Sequence, residues 1–316
     1  MIRKTTNLSS LICLLALACA GGGSNIDITK PVTGEAATNA ERAYKQGLQE
    51  RSSSNYIEAT RYFEWVRNNF PYSQYSSLAE LALADMAYDR GDYAESAVKY
   101  REFVKSHPSH PKADFAAFRV GLANYKDKPS DWFLLPPAHE KDQAPIKNSL
   151  DALQKFVLTY PKSEFVPQAR DLIADCRERL LAHERYVAGF YQKRNAWKGA
   201  AGRYLGIADA YGDLHQGQTR DEALWEAAQA YRNAHDARGE RATLERFIQE
   251  GSGSSPRRKE AEDRLSKLPA EPPPAAVKPA EGAEAKPEGG NTQAPPAPAM
   301  PPTSEPPAPP LTQPGR

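Results

Sequence analysis

Cysteine is scarce in this 316-residue chain, which has only Cys13, Cys19 and Cys176. An excess of charge is missing too: 41 Lys and Arg stand against 40 Asp and Glu, a net charge of +1. A dedicated nucleic-acid binder would carry a clear basic excess, so nucleic acid is not expected as a partner. A long apolar run is also missing. Leu11 to Ala18 (LICLLALA) would extend about 12 Å as a helix, against a hydrocarbon core of about 30 Å. The last 48 residues, Pro269 to Arg316, hold 16 of the 27 prolines and contain no Phe, Trp, Tyr or Ile. Such a segment cannot bury enough apolar surface to offset the entropy lost on ordering, and 269–316 is predicted to be a disordered Pro/Ala-rich tail. Catalytic signatures are lacking as well: no HExxH, CxxC or GxxxxGK[ST] occurs. His107 and His110 are three apart, but both abut a proline in a turn, which makes them a poor metal pair. The expectation is a protein that is not an enzyme, with no cofactor and no metal.

What is present begins with an address. Residues 1–18 have the form of a secretory signal peptide, with Arg3 and Lys4 ahead of the short apolar run. The run ends in Ala16-Leu17-Ala18-Cys19, followed by Ala20-Gly21-Gly22-Gly23-Ser24. This is similar to a bacterial lipobox, with Ala16 where Leu is usual, and it makes Cys19 the expected lipidation site. A rival is an ordinary signal peptide cut nearby, with Cys19 incidental. Residues 19–35 then form a lipid-anchored linker whose Gly/Ser run is a flexible leash. Cleavage before Cys19 leaves 39 basic against 40 acidic side chains, a net charge of −1. Attachment would therefore rest on acyl chains and not on attraction to an anionic surface. Ala20 is not the Asp that retains lipoproteins in the inner membrane, so the outer membrane, periplasmic face, is expected. Cys176 is left with no partner for an internal disulfide. Between Leu172 and Leu180 on a predicted helix, it is expected to be a buried, inert thiol.

From 36 to 268 the chain is rich in Ala, Leu, Glu, Arg and Gln, with apolar residues at helical spacing. It also repeats itself. Tyr56, Ala59, Phe63, Val66 and Pro71 are echoed at an offset of 37 by Tyr93, Ser96, Tyr100, Phe103 and Pro108. The pattern returns as Ile146, Ser149, Leu153, Phe156 and Pro161, and again as Trp197, Ala200, Tyr204 and Ile207, with Gly212 at the proline position. A fifth, degenerate copy is Ala237 to Glu250. An aromatic, a small residue and a closing proline at these positions mark the second helix of a tetratricopeptide (TPR) repeat. Gly47, Ala84 and Ala188 lie nine residues before Tyr56, Tyr93 and Trp197, and mark the preceding first helices. Gly121 lies 25 before Ile146, so an insertion is predicted at about 126–145. The predicted fold is all-α: a TPR superhelix of about five helix-turn-helix repeats over 36–268.

A superhelix of this kind holds extended peptide or a partner domain along its concave face, lined mostly by first helices. Counting from each small residue, the inward candidates are Tyr44, Leu48 and Arg51 in the first repeat. In the second they are Leu81, Asp85, Tyr88 and Asp89, and in the third Phe118, Leu122 and Tyr125. Tyr and Arg suit recognition of an amphipathic peptide. Several of these residues, the aliphatic ones above all, could equally pack between helices.

The order of several short segments is more specific than a repeat. Phe70-Pro71-Tyr72-Ser73, His107-Pro108-Ser109-His110-Pro111, Arg119-Val120-Gly121-Leu122 and Tyr160-Pro161-Lys162-Ser163-Glu164-Phe165 come in turn. Leu181 to Ala188 (LAHERYVA) and Phe190 to Trp197 (FYQKRNAW) follow. In this order, behind a lipobox, they resemble the BamD family, TPR lipoproteins of the outer-membrane β-barrel assembly (BAM) machinery. Three features depart from the family: Asp142-Gln143-Ala144-Pro145 replaces its Asp-Pro, and the Asp131 to Pro137 insertion and the tail are this chain's own. The resemblance implies a role in folding and inserting β-barrel proteins. It implies that the N-terminal repeats receive the C-terminal signal of unfolded outer-membrane proteins and that the C-terminal repeats dock on the periplasmic domains of BamA. Other BAM lipoproteins are further implied partners, and the membrane is reached through the lipid anchor. Arg203 matches the Arg of the family's fourth-repeat helix and is the implied point of communication with BamA. The alternative is another periplasmic TPR scaffold lipoprotein, linked to peptidoglycan or cell division.

Overall fold

The computed structural model describes residues 26–29, 36–129 and 137–269. The signal peptide, Cys19, most of the linker, residues 130–136 of the insertion and the 270–316 tail lie outside them. The described residues form eleven α-helices and no strand. They pair in chain order: α1 (Ala36–Ser52) with α2 (Tyr56–Asn69), α3 (Gln74–Asp89) with α4 (Tyr93–Ser106), and α5 (Ala113–Lys126) with α6 (Ala144–Thr159). Then come α7 (Val166–Lys193) with α8 (Trp197–Tyr211), and α9 (Gln218–Asn233) with α10 (Ala237–Glu250). A last helix, α11 (Arg258–Lys267), packs on α10. Each second helix also packs on the helix that follows it, which makes five TPR-type repeats and a terminal cap.

One local device builds four of the five repeats. Ser54, Gly91, Asn195 and His235 each adopt a positive φ, at 60°, 85°, 57° and 54°. Each stands two residues before the aromatic or small residue that opens the second helix. The amide after each donates back to the carbonyl five residues earlier, as Asp92 does to Ala87 at 2.9 Å. That is a Schellman closure: the left-handed residue ends one helix, satisfies its last carbonyls and aims the chain into the next. Gly91 adopts it without strain, while Ser54, Asn195 and His235 accept a modest cost. The third repeat has no such residue, because the insertion replaces its turn. There a 3₁₀ turn (Ala138–Glu140) rests on α7, with the carbonyl of His139 2.7 Å from His183 Nδ1 and its ring against Tyr186.

Small residues set the distance within a repeat. A Cβ on Gly47 would stand 2.7 Å from the Phe63 ring, and one on Gly121 would stand 2.5 Å from the Leu153 side chain. Ala84 and Ala188 occupy the same position and are fully buried. In the second and third repeats the backbone contact is also bonded: Ser96 Oγ donates to Ala84 O at 3.1 Å and Ser149 Oγ to Gly121 O at 2.9 Å. Gly121→Ala is therefore expected to lose about 1–2 kcal/mol, overpacking outweighing the gain in helix propensity. Gly202, with nothing near its Cβ direction, should gain about 0.5–1 kcal/mol on the same change. Urea unfolding of the two variants tests this, and stabilisation by Gly121→Ala would refute the close approach.

The core runs through the array as a chain of clusters. Phe63 and Met86 centre the first, Tyr100 and Phe103 the next, then Phe118, Leu153 and Phe156, then Leu224, Leu244 and Phe247. Helix α7 is 28 residues long, so its first half packs on α6 and its second on α8. Cys176 lies in that first half, fully buried beside Ile146, and burial pushes its thiol pKa up. Ion pairs join like helices of successive repeats: Arg51 with Asp89 at 2.6 Å, Arg185 with Glu222 at 2.9 Å, and Asp209 with Arg246 at 2.8 Å. At the end of the array α11 covers the last apolar face, as a terminal repeat must. No described helix is long and apolar enough to cross a membrane.

Candidate partner-binding faces of the repeat array

The first helices α1, α3 and α5 bring four of the ten sequence candidates, Arg51, Asp85, Tyr88 and Asp89, into one polar lattice. Arg51 Nε and Nη2 donate to Asp89 Oδ2 at 3.1 and 2.6 Å, and Nη1 reaches Asp85 Oδ2 at 3.5 Å. Asp85 Oδ1 also accepts a short hydrogen bond from the Tyr100 hydroxyl and lies 3.8 Å from Arg119 Nη2. Arg119 Nε donates to the Tyr100 oxygen at 2.9 Å, and its guanidinium covers the Tyr88 ring at 3.7 Å. Two guanidinium groups thus share two carboxylates. Burial, then the charge of Asp85, pushes the Tyr100 hydroxyl far above its ordinary pKa and keeps it a donor. Burial likewise raises Tyr44 and Tyr88.

The other candidates divide by depth. Leu81 and Phe118 are each 3% exposed and pack between helices, with Phe118 stacked on Phe165 at 5.1 Å. They form the floor of the face and offer no free surface. Leu48 is exposed, and Tyr44 is half-buried against Phe63 and Tyr75. Leu122 packs at the edge of the third-repeat core. Tyr125 stands apart from the lattice and donates to Asp175 Oδ2 at 2.7 Å, which Arg179 also holds at 2.6 Å. Burial alone would raise the Asp175 pKa, but the Tyr125 hydroxyl and Arg179 keep it low.

Arg51 is already held by Asp85 and Asp89, so its donors are not open. Arg119 and Tyr100 are members of the lattice that sequence counting missed. A signal existed: a tyrosine at a buried echo position needs a partner for its hydroxyl, and a nearby helical Arg or Asp is the usual one.

A second face lies on α7 and α8. Gly199, Gly202 and Gly206 open a groove of about 530 Å³ between Tyr191 and Tyr211. Arg203 stands in it, half-exposed, with Nη1 donating to Glu184 at 3.3 Å and the guanidinium 6.0 Å from the Tyr191 ring. One bond to Glu184 leaves most of its five donors open. Among the described residues no group of three or more His, Cys, Asp or Glu could hold a metal.

Comparison with known proteins bears on what these faces serve. A family model described as YfiO, outer membrane lipoprotein, matches residues 36–250, from the first residue of α1 to the last of α10. The outer membrane protein assembly factor BamD of Haemophilus influenzae is 26% identical over 216 residues, 67% of this chain and 79% of that protein. BamD of Neisseria meningitidis serogroup A is 27% identical over 210 residues, 66% of this chain and 78% of its own. BamD of Caulobacter vibrioides is 26% identical over 231 residues, 72% and 70% of the two chains. A solved TPR2AB-domain complex of yeast Sti1 aligns with 72% of this chain and 98% of its own, at 11% identity and a TM-score of 0.36, too loosely to bear on the repeat geometry. With one family model spanning all five repeats, the chain belongs to the YfiO family of outer membrane lipoproteins, the BamD family.

Proposed function

We propose that this protein is a lipid-anchored outer membrane assembly factor that serves β-barrel proteins from the periplasmic face. Its C-terminal repeats dock the periplasmic domains of BamA, and its N-terminal repeats receive unfolded barrel proteins. The observation that carries the proposal is the family match over every repeat, to relatives named as outer membrane protein assembly factors. Cys19 supplies the anchor, and other BAM lipoproteins complete the assembly.

The two faces suit the two tasks by their chemistry. On α7 and α8, Arg203 offers open donors in a groove between aromatic walls, suited to a carboxylate on a folded partner domain. On α1, α3 and α5, Leu48, Tyr44 and Tyr88 offer apolar and amphipathic surface to an extended segment ending in an aromatic residue and a carboxylate. There Arg51 meets the carboxylate by exchanging it for Asp89, the more exposed of its two partners.

Purification of the tagged chain from detergent-solubilised outer membranes tests the proposal. BamA is expected to co-purify. Arg203→Glu is expected to cut its recovery by roughly 10-fold or more, since a charged hydrogen bond contributes about 1.5–3 kcal/mol. A wild-type preparation without BamA would reject the proposal. Full recovery with Arg203→Glu would move the docking face away from α7 and α8.

A further inference from the structure

The second helices α4 and α6 do not close on each other. Between them, over α5, lies a groove of about 580 Å³ with a floor of Val104, Ala117, Val120, Ala152 and Phe156. Its rim is cationic. Arg101 and Lys105 on α4 and Lys155 on α6 line it, with Asp151 the one carboxylate among the lining residues. All three cations are exposed, and none forms an ion pair among the described residues. Between α8 and α10 the comparable gap is bridged by Asp209 with Arg246 at 2.8 Å, and Lys198 meets Asp236 at 2.9 Å. Arg51 and Arg119 on the first-helix face are likewise satisfied within the chain.

Apolar surface continues past the groove on both helices. Val98 shares the helical stripe of Arg101 and Lys105 and is 47% exposed, while Leu158 shares that of Asp151 and Lys155 and is 82% exposed. With the channel floor these side chains extend one apolar patch, the kind of surface on which a partner segment docks. The occupant must place apolar groups on the floor and negative charge on the rim.

We propose that the α4–α6 groove docks a short amphipathic segment of a partner protein, helical when bound, with acidic residues flanking its apolar stripe. An amphipathic helix laid between two helices reads as apolar anchors at i, i+3 or i+4, and i+7, with charge along its edges. Three cations against one carboxylate select acidic edges and reject basic ones. This site lies on the second-helix side of the second and third repeats and is separate from the Arg203 groove and the Arg51 lattice. It therefore adds a binding task beyond those proposed above.

The test is peptide display on the full mature chain. Random peptides of roughly 16 residues, long enough for four helical turns, are selected on the wild type. Winners are measured by fluorescence anisotropy against the wild type, the double variant Lys105→Glu/Lys155→Glu, and the groove-filling Ala152→Trp. Circular dichroism checks folding, and the exposed charge changes keep the test decisive if Ala152→Trp is unstable. Winners are expected to carry Asp or Glu beside an apolar i, i+3/i+4, i+7 stripe. Their affinity should fall about tenfold or more in the double variant, from loss of charged contacts, and should weaken with salt. Selection of no peptide, or of peptides that bind the double variant equally well, overturns the proposal. So does a concentration-dependent dimer in sedimentation velocity that the double variant abolishes, which would make the groove a contact between two copies. Binding of the wild type, but not the double variant, to phosphatidylglycerol vesicles, without any acidic peptide preference, would assign the groove to lipid instead.

Discussion

Glu240→Ala is expected to destabilise the C-terminal repeat by about 3–5 kcal/mol, the cost of leaving one member of a buried ion pair alone. Glu240 stands where the other second helices carry a small residue, and its side chain is 8% exposed. It is paired with Arg264 of α11, whose own side chain is 10% exposed. Arg264 Nε donates to Glu240 Oε1 at 3.1 Å and Nη1 to Gln229 Oε1 at 3.1 Å, while its guanidinium lies 4.9 Å from the Trp225 ring. The pair thus ties the cap to both helices of the fifth repeat. Without Glu240 the guanidinium is left buried between an amide and an aromatic face, and α11 should detach before the array melts. Hydrogen exchange would show this as loss of protection confined to α11 and α10, and urea unfolding would give the magnitude. Arg264→Ala should behave alike. The double change Glu240→Leu/Arg264→Met should recover most of the loss, because apolar groups of similar volume often replace a buried pair without cost. A loss below about 1 kcal/mol for Glu240→Ala would mean the pair behaves like a surface one.

Asp85→Ala is expected to cost about 2–3 kcal/mol, and Asp89→Ala less than about 1 kcal/mol. The two carboxylates sit one helical turn apart on α3 and both face Arg51, so sequence treats them alike. Their surroundings do not. Asp85, 20% exposed, accepts from the fully buried Tyr100 hydroxyl and lies near both Arg51 and Arg119. Asp89, 34% exposed, meets only Arg51 among the described ion pairs. Removing Asp85 leaves a buried hydroxyl and two guanidinium groups with one acceptor fewer, across three first or second helices. Removing Asp89 lets Arg51 turn to water and to Asp85. Urea unfolding of the two single variants and of Tyr100→Phe would rank them. Equal losses at positions 85 and 89 would show that burial of Tyr100 does not govern the lattice.

Both variants bear on how much could be read before folding. The echo from Tyr56 to Tyr93 and the small residues Gly47, Ala84 and Gly121 described local packing within one repeat, where partners lie a fixed number of residues apart. For that reason the second helices open at Tyr56, Tyr93 and Trp197, where the pattern put them. The insertion was legible as a surplus in spacing, and α5 does end at Lys126 with α6 beginning at Ala144. Cys176 was legible as buried from its place between Leu172 and Leu180. The left-handed turns were marked plainly only at Gly91; Asn195 and His235 have a weaker tendency to positive φ, and Ser54 has little.

Helical periodicity, a repeat near 37 residues and an order of short segments were enough, by themselves, to determine an all-α TPR array of the BamD family. These are local properties: a helix of given stripe and a neighbour of fixed offset leave one way to bury the stripe. Tertiary structure alone decided the partners of the charged residues. Arg51 finds Asp89 38 residues away, Tyr125 finds Asp175 50 away, and Arg264 finds Glu240 24 away. Long, flexible side chains at such separations meet according to how successive helix pairs rotate on one another, and that rotation is set by the summed packing of the whole array. It decided that Leu81 and Phe118 lie beneath the first-helix face, that Arg51 is already held, and that Arg101, Lys105 and Lys155 are left open above an apolar groove.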